Sequence, residues 1–348
     1  MTVARRKLID MVRTESRHPF ADVELQSLED VVTSSASSEL PDERLAMMFA
    51  CAHPAIVAGI RSPLILQVVL GLDAKAIASA FLTSPAAMGK RLVRAKEKIR
   101  EAGIPFRVPG REELPARLDT VLEAIYAGFT EGWSDADGAD LVRRDLIEES
   151  LFLARVVVEL MPGEAEAQGL LALMLYADSR RRARRNLEGD FVPLSAQNPA
   201  LWDGGQIAEA EGLLHRAAGL GCVGRFQLEA AIQSAHADRC REGVANWGEV
   251  LKLYDALFAL TGSPVVLINR ALAVAELRGA EDALLSMPEL EGDARLAEYQ
   301  PYWAARADLL VRTGEHAEAR HAYRIAIGLE RDAAVRRFLE RRIEAIEN

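Results

Sequence analysis

The chain has 348 residues, 50% of them hydrophobic, and carries 42 Lys and Arg against 52 Asp and Glu, a formal charge of −10 at pH 7. That is apolar material for one or two cored domains, so the chain is globular. No apolar run approaches the roughly 18 residues of a membrane span, and Cys51, Cys222 and Cys240 are too few and too scattered for a disulfide framework or a metal cluster. A cytoplasmic protein without membrane, metal or cofactor is expected.

Aromatics are scarce (6%), while Ala, Leu, Glu and Arg recur at three-and-four spacing, the signature of amphipathic helices. The expected class is all-α. Residues 2–17, "TVARRKLIDMVRTESR", read as a short basic helix with Leu8, Ile9 and Val12 on one side and Arg5, Arg6 and Arg13 on the other. The stretch 21–41 is an acidic, Ser-rich connector. Four short helices follow within 42–104. Asp42 is placed to cap the first, Pro54 stops it, "SPLILQVVLG" ends at Gly71, and the last ends at Gly103. "IPFRVPGREELP" contains three prolines and a glycine, so a boundary is expected at 105–114, with a second helical domain over 115–348.

Within the first domain, "DAKAIASAFLTSPAAMGKRLVRAKEKIR" has the grammar of a helix-turn-helix. One helix runs from about Ala74 to Leu82, Thr83 or Ser84 turns the chain, and Pro85 opens the next helix, where its missing N–H is harmless. Met88, Leu92, Ala95 and Ile99 recur at 4, 3 and 4 as a core-facing stripe. Ala87, Lys90, Arg91, Arg94 and Lys98 are left facing outward, a concentration of positive charge in an otherwise acidic chain. In a recognition helix such residues meet phosphates and base edges in the major groove.

The second domain contains a repeat. Trp303, Ala307, Leu310, Gly314, Ala319, Tyr323 and Ala326 follow the tetratricopeptide (TPR) pattern loosely, with Arg306 and Arg331 departing from it. Ala271, Val274 and Ala283 form an earlier copy, with Ala283 standing 36 residues before Ala319. "SRRRARRN" at 179–186 reads as a helix C-terminus complemented by cations, or as a patch for nucleic acid or an acidic partner. "GLGCVG" at 219–224 follows a helix, not a strand, and is an interhelical turn. Cys51 and His53 lack a second ligand pair, and His316 and His321 diverge on a helix. The motifs H-E-x-x-H and G-x-S-x-G are absent, so no enzyme is expected.

"ELPDERLAMMFACAHPAI" together with "LGLDAKAIASAFLTSPAAMGKRLVRAKEKIR" resembles region 4 of extracytoplasmic-function (ECF) sigma factors of bacterial RNA polymerase. "VARRKLIDMVR" resembles the end of their region 2, so residues 1–20 read as its remnant. "GLLALMLYADSRRRAR", "GSPVVLINRALAVAE" and "ARADLLVRTGEHAEARHAYRIAI" resemble the TPR-like C-terminal extension of one branch of that family. The resemblance implies that Ser84, Ala87, Lys90, Arg91, Arg94 and Lys98 lie at the promoter −35 element. It places Arg5 and Arg6 near the −10 element, names RNA polymerase core as a partner, and gives the extension a regulatory role toward a protein or small ligand. Most of region 2 would precede "VARRKLID", so the chain from Met1 is expected to bind −35 duplex weakly and not to initiate with core polymerase. The competing reading is a TPR-type interaction or adaptor protein whose helix-turn-helix is degenerate, or binds acidic protein surfaces or DNA without sequence preference. A helical enzyme built on Trp202, Trp303 and the arginine cluster is the third.

Overall fold

The computed structural model describes residues 40–104, 107–133, 140–242, 246–288 and 294–347. Among them every regular element is an α- or 3-10 helix, with a single isolated bridge between Arg185 and Phe191, so the class is all-α. The basic helix bearing Arg5 and Arg6, and the connector up to residue 39, lie outside the described residues. The chain divides into two units, Met1–Ala127 and Gly128–Asn348.

In the first unit, Asp42 caps α1 (Glu43–Cys51), its Oδ1 accepting the N–H groups of Arg44 (2.9 Å) and Leu45 (3.0 Å). Every residue from Leu45 to Cys51 is buried, which makes α1 the centre of this unit. Helix α2 (Ala58–Val68) starts ahead of the expected "SPLILQ", so Pro63 falls inside it. Proline has no N–H, and the carbonyl four residues earlier, that of Gly59, loses its helical donor. Arg91 Nη2 supplies a replacement at 2.7 Å. Helices α3 (Ala74–Ala80) and α4 (Pro85–Glu101) follow, and the chain leaves α4 through Gly103 at φ +58°.

The Pro-rich stretch 105–114 reads as a boundary, yet the division falls within α5 (Pro115–Glu131). Two polar ties hold the first half of α5 to α1 and α2. Arg117 is 2% exposed and donates Nη1 to the Phe49 carbonyl at the heart of α1 (3.0 Å), while pairing with Glu113. Buried Ser62 of α2 donates its hydroxyl to Glu123. A guanidinium taken out of water needs its partners in place, so the first half of α5 is held to the first unit.

The second unit begins with α6 (Asp140–Leu160) and α7 (Ala165–Ser179). Nearly all of α7 is buried, because α8 (Gly204–Gly219) and α9 (Arg225–Glu242) both pack against it. At Gly169 the approach of α9 is so close that a Cβ would lie 2.7 Å from the Gln227 backbone nitrogen. Glu166 fixes the same contact by accepting the N–H groups of Phe226 (2.9 Å) and Gln227 (3.1 Å). "GLGCVG" is the turn between α8 and α9, with Gly221 at φ +73°.

Successive hairpins complete the unit: α10 (Trp247–Thr261) on α11 (Pro264–Arg278), α11 on α12 (Ala280–Ser286), α13 (Gln300–Thr313) on α14 (His316–Leu329), and α14 on α15 (Ala333–Glu347). The small residues expected at the crossings, Ala271, Ala283, Ala307, Ala319 and Ala326, are all 0% exposed, and Gly314 turns the chain at φ +84°. The earlier copy departs in its second helix, where Pro288 follows α12 and halts it at Ser286. Met287 stands there 36 residues before Tyr323 and is buried like it.

Ion pairs join the hairpins laterally. Arg312 of α13 bonds Glu276 of α11 (2.6 Å) and Asp308 (2.9 Å), and Arg342 of α15 bonds Asp308 (2.6 Å) and the Tyr323 hydroxyl (3.2 Å). The loop after α7 is tied to α15 as well. Asp190 accepts from Arg337 (3.1 Å) and Arg341 (2.6 Å), which hold its carboxyl below the usual range. Phe191 meets Phe338 edge to face at 5.5 Å.

Tyr323 fills the space between α13, α14 and α15 at 2% exposure. Tyr323→Ala should lower the stability of the second unit by about 3–5 kcal/mol through the cavity it leaves, read from denaturant unfolding of the full chain. A loss within error would contradict this packing register.

Candidate nucleic-acid interface

Helices α3 and α4 are each started by a side chain. Asp73 Oδ1 accepts the Ala76 N–H (2.8 Å), and Ser84 Oγ accepts the Ala87 N–H (3.2 Å), with Pro85 as the first helical residue of α4. Helix α3 ends at Ala80, short of the expected Leu82. Leu82 takes φ +48°, a left-handed conformation that a helix cannot continue through. Small residues let the two helices cross. Ala78 is 1% exposed, and the position of a Cβ at Gly89 is 3.9 Å from the Ala74 Cβ.

Met88, Leu92 and Ile99 are buried at 0%, 2% and 8%, and Ala95 is half-buried, so the rotation of α4 about its axis is fixed. At roughly 100° per residue, Lys90 and Arg94 point within about 50° of the direction opposite this stripe, whereas Arg91 and Lys98 lie about 90–110° from it. Lys90, Arg91, Arg94, Lys98 and Arg100 are exposed, Ser84 is exposed at the helix entry, and Ala87 is half-buried. The structure therefore separates residues that the sequence treats alike. Arg91 lies on the flank, where its guanidinium holds the Gly59 carbonyl freed by Pro63. Lys90 and Arg94 project from the outer face.

Val93 also belongs to that face and is 56% exposed, flanked by Lys90 and Arg94. Sequence reading passes over it because a valine in a helix is assigned inward by default. Its place off the four-three-four stripe was the available signal. Glu97 is exposed on the same outer face, one turn beyond Val93 and Arg94, so that face carries one acid beside its cations.

Other clusters are built into the fold. In "SRRRARRN", Arg180 donates to Gln233 (2.7 Å) and the Tyr176 carbonyl (3.3 Å), Arg181 pairs with Asp178, and Arg185 with Asp332 (2.6 Å). Arg184 lies 4.5 Å above the Trp133 ring, and its burial pushes the guanidinium pKa down. Cys51 is fully buried, which pushes its thiol up to about 12. His53 Nδ1 accepts the Ala55 N–H (3.1 Å). No described helix is long and apolar enough to cross a membrane.

These features define an α-helical protein with a pair of helices, the second strongly basic, in one unit and stacked helix hairpins in the other. The sequence is 38% identical over 348 residues to uncharacterized protein R00370 of Rhizobium meliloti (strain 1021), across 98% of this chain and 82% of that protein, and the chain belongs to that protein's family. The Family of unknown function (DUF6596) matches residues 117–218, from the buried Arg117 to the end of α8. No solved structure matches the chain.

Two variants test the local account. Ser84→Ala should cost the first unit about 1 kcal/mol through the lost cap. Arg91→Ala should cost at most about 0.5 kcal/mol in the absence of DNA, because water reaches the exposed Gly59 carbonyl once its donor is gone. Thermal unfolding without DNA measures both, and a Ser84→Ala protein as stable as the parent would contradict the cap.

Proposed function

We propose that this chain is a sigma-type transcription initiation factor that places α4 in the major groove of a promoter −35 element. RNA polymerase core is the protein partner in this reading, the cytoplasm its setting, and the second unit its regulatory domain. The observation that carries the reading is the fixed rotation of α4, which presents Lys90, Val93 and Arg94 together while the opposite side is locked in the core. Each has a task in a groove. A lysine neutralises phosphate, an arginine engages guanine O6 and N7 bidentately, and an exposed valine can meet a thymine methyl. Arg91 would contact DNA only by sharing or leaving the Gly59 carbonyl, so its part is that of a positioning residue.

The work is recognition, with no bond made or broken. A second reading is favoured by the lateral ion pairs and small-residue crossings of α11 to α15, which are those of a stacked-hairpin interaction module. In that reading the protein is an adaptor, and its basic helix binds DNA without regard to sequence. Base-sequence dependence separates the two.

Arg94→Ala should weaken binding to a duplex selected by the parent protein by about 1–3 kcal/mol and relax the preference at one base pair, whereas Lys90→Ala should weaken all duplexes similarly and lower the salt slope by about one. Fluorescence anisotropy across a salt series reads both quantities. Variants that bind as the parent does would contradict the proposed interface.

A further inference from the structure

An open cleft of about 670 Å3 lies in the second unit, remote in sequence from the basic helix. That is within the usual range for a small-molecule site. One wall is a single face of α6, where Glu148, Leu151, Phe152 and Arg155 follow at helical spacing. The opposite wall is the end of α7 with the 3-10 turn Arg181–Ala183, and Leu201 and Trp202 lead from it into the start of α8.

Most of its charge is already satisfied. Arg155 forms a two-pronged pair with Glu209, Arg181 pairs with Asp178, and the second oxygen of Asp178 accepts Gln206 Nε2 (2.9 Å). The Asp203 N–H donates to the Ser179 carbonyl (2.9 Å), which pins the C-terminus of α7 to the N-terminus of α8. Opposite ends of two helix dipoles meet there.

What remains unsatisfied is one group of each kind. Arg182 and Glu148 are exposed and have no ion-pair partner among the described residues. The Trp202 indole N–H is a buried donor without an acceptor, and Gln206 Oε1 is a buried acceptor without a donor. Phe152 and Leu201 add apolar surface, at 46% and 47% exposure. A polyanion would find only one unpaired cation here, with the carboxylates of Glu148 and Asp203 in the same cleft, and a purely apolar ligand would cover Arg182 and Glu148 without pairing either.

We infer that this cleft is a binding site for a small zwitterion, a free amino acid or short peptide with apolar side chains. The ligand's carboxylate lies toward Arg182, its ammonium toward Glu148, and its side chains against Phe152 and Leu201. The inference does not rest on DNA binding and is tested without DNA.

The probe is the dipeptide Phe–Leu, titrated calorimetrically into the full chain beside its N-acetylated and C-amidated forms. Saturable binding is expected, weakened about tenfold or more by either blocking group. Glu148→Gln should erase the penalty of acetylation and Arg182→Gln that of amidation. Both side chains are on the surface, so unchanged melting of the variants will show that folding is intact. Absence of saturable binding up to about 10 mM, or blocked forms that bind as well as the free dipeptide, would overturn the inference. A penalty from amidation alone would overturn it too, since that describes an anion site.

Discussion

The burial of Met88, Leu92 and Ile99 is the constraint on which the first unit and its proposed function depend. Three large apolar side chains on one side of a 17-residue helix leave it one rotation about its axis. The cations then have no freedom to redistribute, and Lys90 and Arg94 must face away from the core. Removing one of the three would do more than open a cavity, because the helix could roll and carry its charges off the line of a groove.

That rotation also sets the link between α4 and α2. Pro63 sits within α2 and frees the Gly59 carbonyl, and Arg91 stands on the flank of α4 from which its guanidinium reaches that oxygen. A helix flaw in one element is thus met by a side chain of another. The same economy recurs in the second unit, where four of the five arginines between 180 and 185 satisfy carbonyls, carboxylates, an amide or an aromatic ring. Basic runs that look alike in sequence differ in what they leave over. The run in α4 presents its cations outward, and the run after α7 presents Arg182 alone.

Much of this is local and therefore legible in the sequence. The caps at Asp42 and Ser84, the first-turn Pro85 and the left-handed Gly103 depend on residues within four positions of one another. The hairpin crossings are legible because alanines at fixed spacing have few other uses. Contacts between distant segments were not legible. Nothing near Arg117 signals that its guanidinium enters the core to bond the Phe49 carbonyl, and that bond ties the start of α5 to α1. The tie of Asp190 to α15 and the service of Arg91 to α2 are likewise products of tertiary packing. The candidate interface was found as a helix, but its division into outward and tethered cations required the fold.

The most direct measurement of the central claim is chemical-shift mapping of the isotopically labelled full chain as a promoter-type duplex is added. The largest changes are expected at Lys90, Val93 and Arg94, with smaller ones at Arg91 and Lys98 and none across α11 to α15. Changes confined to the second unit, with residues 85–101 unmoved, would contradict it.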